Sequence, residues 1–228
     1  MSDSAMSDST ISGATTIASG ISENAYPYRN AEKFLSALDP DWARHIANVG
    51  PCRHTSKTAR EPYEALVRAI AYQQLHARAG DAILARMLAL FNHASFPTAQ
   101  QLLDTPADIL RGCGFSASKI ATIHGIAQAA LDGIVPLRAE ALTISDEALI
   151  ERLVSLRGVG RWTVEMLLIY TLERSDILPA DDFGVREGYR RLKNLQQTPS
   201  KKQISEIGLS WSPYRTVAAW YLWRLPKN

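Results

Sequence analysis

The residues best suited to chemistry lie between Leu156 and Asp182. There the chain reads Leu156-Arg-Gly-Val-Gly-Arg-Trp-Thr-Val-Glu-Met166, stays apolar to Leu172, and closes with Leu178-Pro-Ala-Asp-Asp-Phe-Gly184. Gly158 and Gly160 enclose a single residue between two helical patterns, a turn that needs backbone able to take φ > 0 and to admit a close partner. A helix starting near Arg161 has first-turn N–H groups without intrahelical acceptors. With the positive helix end, these make a site for a phosphate oxygen. Past Pro179 stand two carboxylates, Asp181 and Asp182. Asp caps helices well, so one can cap the Phe183 segment while the other projects into a cleft; we expect Asp181 to cap and Asp182 to do the chemistry. The stretch reads as a grip on a DNA backbone followed by a catalytic acid.

The neighbouring residue types extend this reading. Trp162 and Phe183 flank the hairpin and the acid, where a flat electron-rich wall holds a base or a cation. Trp220 and Trp223 fall at i, i+3, and one cleft need not receive both. Tyr72-Gln-Gln-Leu-His76 ends an apolar helix, and on physics alone a plain exit to solvent is the simpler reading. Yet Gln74 and Leu75 are also what a minor-groove wedge requires, an amide for base edges and an apolar body for a gap. His76 has no second ligand at metal spacing and reads as a surface histidine. The two cysteines, Cys52 and Cys113, are too few for a four-cysteine metal or iron–sulfur site and read as spare thiols in a reducing compartment.

The elements that must position these residues are helices. Periodic apolar residues and start and stop signals predict helices over Ala31–Leu38, Pro40–Asn48, Pro62–Leu75, Gly80–Phe91, Thr98–Leu103 and a short one after Thr105-Pro106 that stops at Gly112. Ser116 caps a longer helix through Leu131, and Ser145 one to Ser155, the first arm of the hairpin. Trp162–Leu172 is the second arm. Gly184–Leu192, Lys201–Ile207 and Pro213–Leu225 follow. No stretch alternates as a strand does, so the expected class is all-α.

The bulk numbers set wider bounds. With 228 residues and a hydrophobic fraction of 46%, the chain suits one domain or two small ones. The net charge of +2 divides unevenly: residues 1–24 hold Asp3, Asp8 and Glu23 without Lys or Arg, leaving +5 for the rest. That balance permits a nucleic-acid partner without demanding one. The Ser-, Thr- and Gly-rich residues 1–24 are expected to be a disordered tail, neither signal peptide nor anchor, and no apolar run has the length of a bilayer span.

The hairpin together with Leu178-Pro-Ala-Asp-Asp-Phe-Gly-Val-Arg186 resembles the helix-hairpin-helix DNA glycosylases, and more closely the 3-methyladenine glycosylases of alkylation repair. Pro62–Leu75, Leu110–Lys119 and Trp211–Trp223 carry supporting matches, so the resemblance spans about residues 26–226. It implies an enzyme that flips an alkylated purine, of the 3-methyladenine or 7-methylguanine type, out of duplex DNA and hydrolyses its N-glycosidic bond. Asp182 stands at the family's catalytic aspartate; its carboxylate would stabilise the oxocarbenium-like sugar and orient or deprotonate water. Trp162, Met166, Phe183 and Trp223 would wall the base pocket. Gly158 and Gly160 would offer N–H groups to a phosphate, with Arg161, Arg186 and Arg215 on the DNA backbone and Gln74, Leu75 and His76 in the vacated space. The carbonyls of Val154, Leu156 and Val159 would hold a Na+ or K+ when DNA is bound, and no other cofactor is implied.

Departures from relatives narrow the resemblance. Trp162 stands where bifunctional relatives carry a nucleophilic lysine, so β-elimination is not expected. Too few residues precede Tyr63 for an additional N-terminal β-domain. The implied architecture is two helical subdomains flanking a cleft, residues 61–181 forming one and 25–60 with 182–228 the other. A monomer without membrane association is expected, at the nucleoid in a bacterial cytoplasm or in a eukaryotic nucleus. Two rivals stand beside this reading: a mismatch glycosylase, and a duplex-binding module without catalysis.

Overall fold

Helix starts are written into the sequence by their caps. The Asp39 carboxylate accepts the N–H groups of Asp41 and Trp42, and Pro40 supplies the pre-set first position. Thr98 and Ser200 form capping boxes with Gln101 and Gln203, while Ser116 and Ser145 cap with single bonds. In this computed structural model, which describes residues 27–91 and 95–225, the elements are all helical. In order they are α1 (Arg29–Ser36), α2 (Pro40–Val49), α3 (Pro62–Tyr72), α4 (Ala77–Ala89), α5 (Ala99–Asp104), α6 (Ala107–Gly112) and α7 (Ala117–Leu131). Then come α8 (Arg138–Ala141), α9 (Asp146–Val154), α10 (Arg161–Tyr170), α11 (Phe183–Leu192), α12 (Lys201–Ile207), a 3₁₀ turn at Gly208–Trp211 and α13 (Arg215–Leu222). No strand occurs among the described residues, so the class is all-α. The tail at residues 1–24 lies outside the described residues.

Several boundaries differ from expectation for identifiable reasons. Helix α3 ends at Tyr72, not Leu75, because Gln74 turns into the left-handed region at φ 58°. Helix α4 then starts at Ala77, three residues before Gly80, with the His76 ring accepting the Ala79 N–H. Thr105 does not cap α6: its hydroxyl donates back to the Gln101 carbonyl and closes α5. Helix α8 was not foreseen, since four residues are too few to show a period.

Two hydrophobic cores result. The first is built from Leu66, Ile70, Leu102, Ile123, Leu149, Leu168 and their neighbours between residues 66 and 177. The second joins Leu35, Trp42 and Ile46 to Val185, Trp211 and Tyr221, so the first and last helices share it. Burying each such side chain is worth about 1.5–3 kcal/mol, which holds distant ends of the chain together. Trp42 and Trp211 meet edge to face at 5.5 Å, and the Tyr221 hydroxyl lies 2.7 Å from the Glu32 carboxylate and 2.9 Å from the Gly50 carbonyl. Cys52 and Cys113 are buried and not joined in a disulfide, and burial pushes the Cys52 thiol up to about 12.

Candidate active site at the hairpin and Asp182

The hairpin takes the conformation its glycines allow. Gly158 sits at φ +82°, and a Cβ there would stand 2.3 Å from Thr122 Oγ1 of α7. Val159 N–H donates to the Leu156 carbonyl and closes the turn. Gly160 is the N-cap of α10, no side chain caps the helix, and Gly160, Arg161 and Trp162 are exposed, so the helix start is open to an anion.

A cleft of about 1120 Å³ opens between this hairpin and the α3–α4 turn. Its walls include Gln74 and Leu75 on one side, Arg157 to Gly160 on the other, and Trp162, Met166 and Tyr170 along the floor helix α10. Asp182 does not line it directly; Trp162, half exposed in the cleft wall, donates its indole N–H to Asp182 Oδ2 at 2.8 Å. Trp223 donates to Asp182 Oδ1 at 2.9 Å, and the Val185 backbone N–H donates to the same oxygen at 2.9 Å. Three donors from three chain segments therefore orient one carboxylate and leave Oδ2 with a free lone pair. Asp182 is itself the N-cap of α11. The expected division of labour is thus corrected: Asp182 is the capping residue and also accepts both indoles, whereas Asp181 is exposed and 3.9 Å from the Lys201 ammonium.

Other expected residues sort unevenly. Trp162 and Met166 line the cleft. Trp223 reaches Asp182 and stacks on Tyr170, ring centroids 6.5 Å apart and 19° from parallel. Phe183 is 66% exposed and does not line the cleft, because the first turn of α11 points it to solvent. His76 is exposed and outside the lining, its ring used in capping α4. Arg161 is already committed: its guanidinium makes two 2.8 Å bonds to Glu147 and one of 3.0 Å to buried Glu165. The Glu147 hydrogen bonds hold Arg161 above its ordinary value, and burial pushes Glu165 up. Arg215 pairs with Asp176, and Arg186 donates to the Pro199 carbonyl. Of the carbonyls expected to meet a cation, that of Leu156 already accepts one hydrogen bond. Among the described residues no cluster of three His, Cys, Asp or Glu could hold a metal ion, and no helix is long and apolar enough to cross a membrane.

Comparison with known proteins sets this geometry in a family. The model of the HhH-GPD superfamily base excision DNA repair proteins matches residues 67–213, from the first core through the hairpin and Asp182 into the turn before α13. The chain belongs to the HhH-GPD superfamily. Among its relatives, DNA-3-methyladenine glycosylase 1 of Schizosaccharomyces pombe is 46% identical over 86% of this chain and 87% of its own length. An alkylbase DNA glycosidase-like protein of the same organism is 39% identical over 88% of this chain and 94% of its own. The solved structure of Schizosaccharomyces pombe 3-methyladenine DNA glycosylase in complex with abasic DNA superposes with a TM-score of 0.78, covering 86% of this chain and 95% of that one.

Within this HhH-GPD chain, four further residues shape the site. Tyr170 supplies a wall that its place at the end of an apolar helix concealed. Arg157 lines the cleft and has no ion pair among the described residues, so it is a cation free for phosphate; its position inside the hairpin was the available signal. Gln73 bridges the turn to the hairpin, its amide donating to the Gly158 carbonyl at 3.2 Å. Gly184 lets Trp223 approach, since a Cβ there would stand 2.9 Å from the Trp223 ring. The Asp-Asp-Phe-Gly sequence held that signal.

Proposed function

We propose that the protein is a monofunctional DNA glycosylase that removes alkylated purines from duplex DNA by hydrolysing the N-glycosidic bond, with Asp182 as the catalytic group. The observation that carries this reading is the Asp182 carboxylate, held by the Trp162 and Trp223 indoles beside a cleft bounded by an uncapped helix start. The names of the relatives support the substrate class. The hairpin N–H groups and Arg157 take the DNA backbone, and Gln74 and Leu75 fill the space of the extruded nucleotide. Alkylation at a ring nitrogen puts positive charge on the base, which improves it as a leaving group. It also lets Trp162 and Tyr170 hold it with a cation–π contribution of about 0.5–2 kcal/mol. No acid need then protonate the base. Oδ2 of Asp182, fixed by Trp162, stabilises the sugar cation and takes the proton of the attacking water.

The amine needed for a Schiff base is missing at residue 162, so strand cleavage is not part of the reaction. The carbonyls of Val154, Leu156 and Val159 are hard donors with lone pairs to spare, which suits a Na+ or K+ bridging the hairpin to a phosphate. The protein acts as a monomer.

Single-turnover base release from duplex DNA carrying methylated purines tests this, with strand breaks scored before and after alkali. Wild type should release free base and give breaks only after alkali. Asp182→Asn should release at least about 1000-fold more slowly while still binding duplex. Equal rates in the two proteins would remove Asp182 from the mechanism.

A further inference from the structure

The Gln74–Leu75 turn is held in place by a contact from outside the α3–α4 pair. Helix α3 ends at Tyr72 with its last carbonyls unpaired by the helix, and Gln74 then adopts φ 58°, costly for a residue with a side chain. A cation from a different helix meets these carbonyls. The Lys119 ammonium, from the first turn of α7, donates to the Ala71 carbonyl at 3.0 Å and to the Gln73 carbonyl at 2.8 Å. It lies at the negative end of α3, where a positive charge is most favourable. Lys119 is half-buried and has no carboxylate partner among the described residues, so backbone carbonyls are what it serves.

One turn further along α7 stands Thr122, against which Gly158 packs so closely that no Cβ fits between them. The Gln73 amide closes the circuit by donating to the Gly158 carbonyl. Thus α7 carries, three residues apart, the support of the probing turn and the support of the phosphate-facing hairpin.

We propose that Lys119 is a positioning residue for base extrusion: by binding the Ala71 and Gln73 carbonyls it fixes the Gln74–Leu75 turn at a set distance from the hairpin. Holding the backbone and displacing the base then occur on one rigid frame. The inference rests on the reading above only in taking the turn as the element that enters the duplex.

The test compares wild type, Lys119→Met, which keeps the aliphatic stem, and Lys119→Arg, which restores a donor. Each binds a fully paired duplex with 2-aminopurine stacked beside the target, and a duplex whose target is an abasic-site analogue with no base to extrude. Lys119→Met should lose most of the fluorescence rise on the paired duplex, while its affinity for the abasic duplex stays within about threefold and its salt dependence keeps the parental slope. Lys119→Arg should recover much of the rise. Single-turnover release from paired DNA should fall about tenfold in Lys119→Met, and release from the same lesion in single-stranded DNA should change by less than about twofold. Fluorescence equal to wild type in Lys119→Met, equal losses on both duplexes, or a parent that leaves the probe stacked would each overturn the proposal. A shallower salt slope would make Lys119 a phosphate contact and overturn it as well. Asp182→Asn, run in parallel, should unstack the probe without releasing base, so a failure of the catalytic reading is seen separately from a failure of this one.

Discussion

The hairpin and the Asp182 corner stand side by side and are built in opposite ways. The hairpin is a local object: Gly158, Val159 and Gly160 supply its shape, and its chemistry is backbone N–H groups that any sequence able to make the turn would present. The Asp182 corner is assembled from a distance, its carboxylate oriented by Trp162, Val185 and Trp223, which are 20, 3 and 41 residues away along the chain. Under the proposed function the contrast teaches that DNA grip would depend on conformation and catalysis on long-range side-chain geometry. Substitutions should therefore separate the two.

The largest separation should come from replacing both indole donors. Trp162→Phe with Trp223→Phe removes two hydrogen bonds to a charged group, each worth about 1.5–3 kcal/mol, so single-turnover release should fall at least about 100-fold. Duplex affinity should move little; a parallel loss of affinity would break the comparison. Next comes Gly158→Ala, where φ +82° and the Thr122 hydroxyl both oppose a Cβ. A stability loss of about 1–2 kcal/mol in denaturant titration is expected, with weaker duplex binding.

Gly160→Ala sharpens the contrast. Its Cβ would meet nothing within 4 Å, so stability should stay within about 0.5 kcal/mol, and any loss of duplex affinity would report the approach of DNA alone. The smallest effect belongs to Glu165. Burial raises its folded-state value above the ordinary 4.5, so the folded protein binds this proton more tightly and loses stability as pH rises from about 4.5 through that raised value. Glu165→Gln should flatten that part of the stability–pH curve, and an unchanged slope would assign it to another group.

The same contrast explains what could be seen in the sequence. Caps at Asp39, Thr98, Ser116, Ser145 and Ser200 are local signals, and the helices they start appear where they call for them. The hairpin was visible for the same reason. The two adjacent aspartates were harder, because either could accept the N–H of a following turn, and only the positions of Trp162 and Trp223 separate them. The pairing of Arg161 was not legible, because Glu147, its bidentate partner, lies 14 residues upstream on another helix. Phe183 looked like a pocket wall since spacing cannot say which side of α11 faces the cleft. The end of α3 was hidden because apolar periodicity runs on to Leu75 while Gln74 breaks the backbone.

The sharing of the second core between α1, α2 and the helices after Ala180 bears on how the molecule comes into being. A chain made from its N-terminus presents Leu35, Trp42 and Ile46 long before Val185, Trp211 and Tyr221 exist to cover them. The buried residues of the first core all lie between 66 and 177, so they are made earlier and can close while synthesis continues. The hairpin is then in place before Trp223 emerges to meet Asp182. On the proposed function, a nascent chain halted after α10 would carry the hairpin and lack Asp182, so a capacity to hold DNA would precede a capacity to cut a base from it.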